Sequence, residues 1–248
     1  MIIYEGPSEI DGKPIVGIMT FVTTNTKLVG DEGRSPAMQL WVIRSDMHPA
    51  DALATGEDHS ICGDCALKGT SGKQRVCYVN PNPVFTIYKR YREGGYTRGE
   101  PGAAIAAARR GTKLLRLGAY GDPAALPAWL IMQFCRLAEL FQIRYVGYTH
   151  QWRTCDQRLK EHLMASCDSR TDFAAAKGLG WRTFTAGLTP EAPHFGIVCP
   201  ATQGKTVCER CALCDGKRHE DDRRKDIYIQ VHGAFPAAKH RYFAQIEG

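Results

Sequence analysis

The late part of the chain carries four cysteines within sixteen residues, the strongest chemical signal in the sequence. They are spaced as Cys199-x8-Cys208-x2-Cys211-x2-Cys214. Zinc sites usually take their thiolates from two separated pairs. The C-x2-C-x2-C core is instead typical of a ferredoxin-type run, in which one tight loop binds a cubane cluster. This core favours an iron–sulfur cluster over zinc. Because the full ferredoxin run is absent, zinc and a metal-free set remain as alternatives.

A second set of thiols lies earlier, at Cys62-x2-Cys65-x11-Cys77. Three thiols leave a structural zinc site incomplete, and His59, three residues before Cys62, is the expected fourth ligand. The set would then be a zinc knuckle that stabilises a loop. Alternatively, the three cysteines bind a cubane cluster and leave one iron open for a ligand. We predict a metal centre at these four residues and leave the choice of metal open.

The other three cysteines carry weaker signals. Cys135 lies in an apolar segment with helical spacing, which predicts a core position. Cys167 follows a predicted strand as a spare ligand or a nucleophile, or, as we prefer, as a buried inert thiol. Cys155 lies in a loop, and the sequence does not indicate its role.

The segment 113–200 alternates between strand-like and helix-like patterns, which predicts parallel βαβ units. Residues 113–119 and 143–148 have the composition of buried strands, and residues 127–141 between them carry apolar side chains at helical spacing. Functional loops of such sheets follow the carboxyl ends of the strands. We therefore expect the loops after these strands to converge on one face.

These loops, together with the loop after a third strand end at 163–166, supply the candidate catalytic residues Asp122, His150 and Asp168. His150 and Asp168 form an acid–base pair if their loops meet. The alternative is ordinary hydrogen bonding within the loops. Asp122, together with Gly121 and Thr149, is predicted to bind a small cofactor. The alternative for Asp122 is an N-cap or turn residue.

Two further strand-like runs, 15–22 and 38–43, precede the first thiol set and are separated by a turn-rich segment. We predict one α/β domain over residues 1–248. Its architecture is a closed or partial barrel of parallel strands, of the TIM-barrel type, with an antiparallel N-terminal strand pair. Two cysteine-rich metal-binding loops, 59–78 and 199–216, would project from it.

Composition narrows the class of protein. Hydrophobic residues make up 44% and charged residues 23% of the 248 residues, as in globular domains. No apolar run approaches the ~20 residues of a membrane span, and the N-terminus lacks the pattern of a signal peptide. We expect a cytoplasmic protein with no membrane partner and no disulfides, in which the closely spaced cysteines are metal ligands. The net charge of +6 permits contact with nucleic acid without predicting it.

The two thiol sets occur with other short motifs in an order that resembles phage and prophage proteins, namely the family named after phage gene product 88 and similar phage gene-product families. Those proteins carry an early cysteine cluster ending in Cys-Tyr, a Gly-Asp loop, a Tyr-Thr strand end and a late cysteine cluster. The similarity covers residues 38 to 233, through Ser60 to Cys65, Cys77 to Asn80, Tyr148-Thr149, Asp168, Cys199 to Ala201, Lys205 and Cys208 to Cys214. It implies a phage or mobile-element origin and hence a host cytoplasm, but no activity.

A looser resemblance, at the level of the fold, is to radical S-adenosylmethionine enzymes. Those are full or partial TIM barrels with three cluster cysteines in an early loop, an acidic Gly-rich loop and often auxiliary clusters near the C-terminus. Cys62, Cys65 and Cys77, then Gly121-Asp122, then Cys199 to Cys214 follow that order. The early C-x2-C-x11-C spacing departs from the compact C-x3-C-x2-C of that family. The resemblance implies a 4Fe-4S cluster and S-adenosylmethionine as a small cofactor.

Two hypotheses about function follow. In the first, the chain is an iron–sulfur-dependent, radical-SAM-like enzyme of a phage or mobile element. It acts on a small molecule, a nucleotide or a nucleic acid, and Asp122, His150 and Asp168 line its pocket. In the second, both thiol sets bind zinc and stabilise a binding module without catalysis, whose basic loop 217–225 contacts nucleic acid or a host protein. Metal content distinguishes the two.

Overall fold

The computed structural model describes residues 1–30, 35–69, 75–108, 111–189, 196–231 and 236–247. Within this part of the chain, nine strands form one sheet in the order β1-β2-β3-β4-β5-β6-β7-β9-β8. The strands are β1 Ile2–Pro7, β2 Pro14–Thr23, β3 Ser35–Arg44, β4 Leu114–Tyr120, β5 Arg144–Thr149, β6 Met164–Cys167, β7 Thr183–Gly187, β8 Ile197–Val198 and β9 Ile227–Gln230.

The helices of the described residues lie mostly between the parallel strands, as crossover connections require. They are α1 Thr26–Val29, α2 Pro49–Thr55, α3 His59–Cys62, α4 Asn82–Arg92, α5 Pro101–Ala107, α6 Ala128–Leu140, α7 Arg170–Gly178, α8 Cys208–Cys211 and α9 Pro236–Glu247. Two 3-10 helices, Pro123–Ala125 and Gln157–Glu161, follow β4 and β5. None of these helices combines the length and the apolar character needed to cross a bilayer.

The pairing pattern confirms the α/β class and the antiparallel N-terminal pair. β2 pairs antiparallel with both β1 and β3. Every pairing from β3 onward is parallel, from β3–β4 through β8–β9. The predicted strands at 15–22 and 38–43 are β2 and β3, and β1 extends this ribbon by one strand.

The sheet is not closed, so the prediction of a closed barrel is wrong. Its described strands run in one line from β1 to β8, and no pairing joins those two edges. A parallel barrel would need its last strand to pair with β3, but β2 already occupies that side of β3. The other edge strand, β8, has two residues and offers little backbone for a further pairing.

The two faces of β4 show how the sheet divides the core from a cavity. Leu115 and Leu117 are buried in the main apolar core, together with Phe134 of α6. Because side chains alternate along a strand, Arg116 and Gly118 lie on the opposite face, where they line a cavity. The helix-covered face therefore supplies stability and leaves the opposite face for binding.

Candidate functional site

The cavity on this second face has a volume of about 360 Å³. That is within the range of small-molecule sites. The sheet contributes alternate residues of β4, β5, β6 and β7 to its walls, and loops supply most of the reactive groups. Its chemically active side chains are Lys27, Cys62, Cys65, Arg75, Cys77, Tyr78, Arg116, Tyr120, Asp122, Tyr148, His150, Asp168 and Cys208.

The early thiols Cys62, Cys65 and Cys77 all line this cavity, although eleven residues separate the second from the third. Cys62 ends α3, and its carbonyl accepts a hydrogen bond from the Cys65 N–H at 3.2 Å. The Cys77 sulfur accepts the Val79 N–H at 3.4 Å. The structure thus brings the three thiols to one cavity, and their ligation of a metal stays a prediction.

A glycine shapes the turn between the first two thiols. Gly63 has a φ of 54°, and a Cβ there would lie 2.2 Å from the Gln151 side-chain oxygen. Gln151 in turn donates from Nε2 to the Cys62 carbonyl at 3.0 Å. Only a residue without a Cβ permits both the turn and this close approach. The loop after β5 therefore positions the first cysteine pair.

Burial dominates the electrostatics of these thiols. It raises the pKa of Cys62 well above its ordinary value, and the neighbouring Cys65 adds to the effect. Burial also raises the pKa of Cys77, which the nearby Arg75 partly offsets. Without a cation, Cys62 and Cys77 are protonated at neutral pH, and metal binding would release those protons.

The structure does not bring His59 to the thiols. Its side chain is 42% exposed, and Nδ1 lies 3.1 Å from the Gly63 carbonyl oxygen and 3.8 Å from Asp64 Oδ1. It lines a separate cavity that it shares with Asp64 and Cys155. Because the ring folds back on its own turn toward solvent, it points away from the cavity that Cys62 lines.

His150 occupies the place beside the thiols that we had expected for His59. Its Nε2 lies 3.4 Å from Asp168 Oδ2, and Cys65 lies close enough to act electrostatically on the ring. Burial opposes protonation of His150, but the charges of Cys65 and Asp168 outweigh it and raise its pKa well above the ordinary value. The loops of His150 and Asp168 therefore meet, as the acid–base hypothesis requires.

Asp122 holds backbone rather than presenting a free carboxylate. Its Oδ1 accepts the Ala124 N–H at 2.9 Å as an N-cap, and its Oδ2 accepts the His150 N–H at 2.8 Å. Its own N–H donates to the Ile61 carbonyl at 2.6 Å. The N-cap alternative is thus confirmed. By these contacts Asp122 links α3, which carries Cys62, to the loop that carries His150.

The two predicted neighbours of Asp122 differ in position. Gly121 lines the cavity with a φ of 75°, and a Cβ there would lie 2.6 Å from the Val42 carbonyl oxygen. Thr149 is fully buried, and its hydroxyl accepts the Gln151 N–H at 2.9 Å. Thr149 therefore supports the loop from behind and does not line the cavity that we describe here.

The late thiols gather around Cys214. Cys199 directly follows β8, and Cys208 and Cys211 begin and end α8. All three act electrostatically on Cys214, whose pKa is raised above its ordinary value, first by burial. The Cys214 carbonyl accepts the Gly147 N–H of β5 at 2.9 Å. The late loop is thereby fixed against the sheet.

A buried charge network anchors this loop. Asp215 is fully buried, and Arg182 Nη1 lies 3.2 Å from its Oδ1. Arg224 contacts the same oxygen at 2.5 Å, and Arg218 contacts Oδ2 at 2.5 Å. Arg182 also donates to the Leu213 carbonyl at 2.9 Å. These contacts hold the residues on both sides of Cys214.

The two thiol sets meet at the same cavity. Cys208 lines it directly. Tyr148, which also lines it, lies near Cys214, which adds to the effect of burial in raising the Tyr148 pKa. Its ring packs against Phe184 with ring centroids 4.3 Å apart. Cys208 of the late set therefore faces the same cavity as the three early thiols.

The three remaining cysteines do not line this cavity. All ten cysteines lie in the described part of the chain, and all are free thiols. Cys135 and Cys167 are fully buried in the main core, as expected. Cys155 is half-buried and lines the smaller cavity near His59.

We did not predict several of the residues that line the cavity, namely Arg75, Tyr78, Arg116, Tyr120 and Tyr148. A signal existed for Arg116, since a charged residue interrupts the apolar strand LLRLGAY. Arg75 carried no such signal, because only the folded loop brings it to the cavity and within 3.6 Å of the buried Asp58.

Among the residues that the structure describes, no group of three or more His, Cys, Asp or Glu side chains is drawn together around a single-ion position. Comparisons with protein-family models, with curated proteins and with solved structures found no match to this chain. The assignment of a function therefore rests on the site itself.

Proposed function

We propose that this chain is a metalloenzyme whose early thiols, Cys62, Cys65 and Cys77, bind an iron–sulfur cluster of the 4Fe-4S type. The observation that carries the proposal is the shared cavity: three thiols from two loops line it together with the His150–Asp168 pair. A cluster there would supply redox chemistry. His150 and Asp168 would hold or move a proton near the bound substrate.

The open side of the thiol set supports an enzyme over a structural staple. Structural zinc sites are closed by four protein ligands, whereas catalytic centres keep a position open. Here three thiols face a cavity of about 360 Å³. That space is large enough for a small cofactor or substrate.

The topology supports a partial barrel as the finer description of the fold. The parallel strands β3 to β7 are neighbours in chain order, without the reversal of a doubly wound sheet. S-adenosylmethionine as cofactor, a nucleotide or nucleic acid as substrate, and a phage origin are proposals that rest on the resemblances. Ten free thiols support a reducing compartment such as the cytoplasm.

A zinc-stabilised binding module is the second candidate. The observation that favours it is His150, which lies beside Cys65 and could complete a set of three thiols and one imidazole. The basic loop 217–225 supports nucleic-acid binding less well. Two of its arginines, Arg218 and Arg224, are already paired with Asp215.

Anaerobic purification with metal analysis and visible spectroscopy tests the proposal. We expect stoichiometric iron and a broad visible absorbance from the cluster. Cys77→Ser should lose iron and absorbance, whereas Cys155→Ser, a control at a half-buried thiol outside the cavity, should keep both. A colourless protein with two zinc ions per chain would refute the iron–sulfur assignment and favour the binding module.

A further inference from the structure

Strand β4 places an arginine in the middle of an apolar run. Arg116 lies between Leu115 and Leu117, which are buried in the core on the other face of the sheet. Its side chain is half-buried. It lines both the 360 Å³ cavity and a neighbouring cavity of about 1190 Å³. The guanidinium therefore stands in the wall that the two cavities share.

The charge of Arg116 has no acidic partner among the residues that the structure describes. Within the described part of the chain it forms no ion pair or hydrogen bond, and the groups that act on it are Tyr148 and Cys208. Burial lowers its pKa, but an arginine stays charged in proteins. Burying an unpaired cation is costly. An anion that fills this position would remove the cost.

A second cation stands near the first. Lys27 lines the 360 Å³ cavity. Lys27 and Arg116 both lie near enough to Cys208 for their positive charges to favour its thiolate. The two carboxylates in the same walls are engaged elsewhere. Asp122 accepts two backbone N–H groups, and Asp168 faces His150. An anionic ligand at Arg116 therefore meets the charges of Arg116 and Lys27 and no free carboxylate among these wall residues.

The larger cavity beside Arg116 has aromatic walls. Gln39 of β3, which pairs in register with Arg116, lines this cavity, and so does Trp41 of the same strand. Phe21, Tyr78 and Tyr96 complete the aromatic lining of that cavity. Aromatic side chains favour planar rings. The combination of a guanidinium and aromatic walls suits a ligand with an anionic end and a flat ring.

We propose that Arg116 and Lys27 bind the phosphate of a nucleotide whose base lies in the larger, aromatic cavity. The proposal names a substrate class for the proposed enzyme and, as a statement about substrate, rests on that function. The binding itself does not require the reaction. A guanidinium fork matches phosphate oxygens, and a nearby ammonium adds a point charge.

The competing role for Arg116 is to balance the charge of the late thiolates, since Cys208 is one of the groups near it. In that case the guanidinium would stabilise the thiolates of the metal centre and would not bind a ligand. If Arg116 binds phosphate, substituting it should reduce phosphate affinity. If it balances the late thiolates, substituting it should instead release metal from the late set.

Calorimetric titration of the purified full chain tests the proposal, with adenosine 5′-monophosphate, adenosine and ribose 5-phosphate as probes. We expect the monophosphate to bind at least tenfold more tightly than either fragment. Arg116→Gln should weaken its binding at least tenfold, about 1.4 kcal/mol, without loss of metal. Arg116→Lys should recover part of the affinity. Arg136→Gln, at an exposed arginine of α6, should bind like the wild type.

Two results would overturn the proposal. They are no detectable binding of the monophosphate, and equal binding by Arg116→Gln and wild type, which together with loss of metal would assign Arg116 to the late thiolates. Ribose 5-phosphate bound as tightly as the monophosphate would overturn the assignment of the base. Metal analysis of the same samples separates this proposal from the proposed function, because nucleotide binding without iron, or iron without nucleotide binding, contradicts only one of them.

Discussion

Replacing Asp215 by Asn should destabilise the fold and loosen the late thiol set. The carboxylate is fully buried and contacts three arginines, one of which, Arg182, is itself 3% exposed. Asn keeps the shape but removes the charge, so it leaves Arg182 buried without its acidic partner. Breaking a buried ion pair on one side costs about 3–5 kcal/mol. We expect a loss near the lower figure, because Arg218 is half exposed.

Urea unfolding followed by circular dichroism measures this loss as a lower midpoint at an unchanged slope. Asp221→Asn is the matched control, since Asp221 lies in the same loop and is 86% exposed in its pair with His219. Exposed pairs contribute little, typically 0–1 kcal/mol. Metal analysis of Asp215→Asn should show reduced occupancy of the late set. A loss below about 1 kcal/mol, with full metal content, would refute the anchoring role of this network.

Three further predictions concern other parts of the molecule. Gly63→Ala should reduce metal binding by the early thiols, measured by metal analysis, because its Cβ would meet the Gln151 oxygen at 2.2 Å. Gly56→Ala, with a φ of 79° but an open Cβ position, serves as control, and equal metal loss in both would contradict the steric reason. Burial lowers the pKa of His162 in the folded state, so His162 is protonated more readily in the unfolded chain than in the folded one. Stability should therefore fall as pH drops through about 6.5, and His162→Gln should flatten that part of the urea-midpoint profile. Cys211→Ser should lose late-set metal and much of the folded protein, whereas Cys135→Ser should keep its metal, as measured by metal analysis and thermal melting.

The periodicity of the chain was sufficient to predict the α/β class. Runs such as 113–119 and 143–148 alternate with a helical segment, and they became β4 and β5 around α6. Local patterns of this kind depend on neighbours in sequence and can be recognised without the fold. Closure of the sheet is different, because it depends on which strand occupies the free side of β3, and that side is taken by β2.

The candidate site divides in the same way. Residue type and spacing alone singled out seven thiols as candidates, of which four line the cavity, and the strand-end rule placed His150 and Asp168 on one face. The tertiary structure decided that His150 rather than His59 stands beside Cys65, and that Asp122 spends both oxygens on backbone N–H groups. It also decided that Arg116 faces a cavity without an acidic partner among the described residues. Such facts depend on contacts between residues far apart in the chain, which spacing within one segment does not encode.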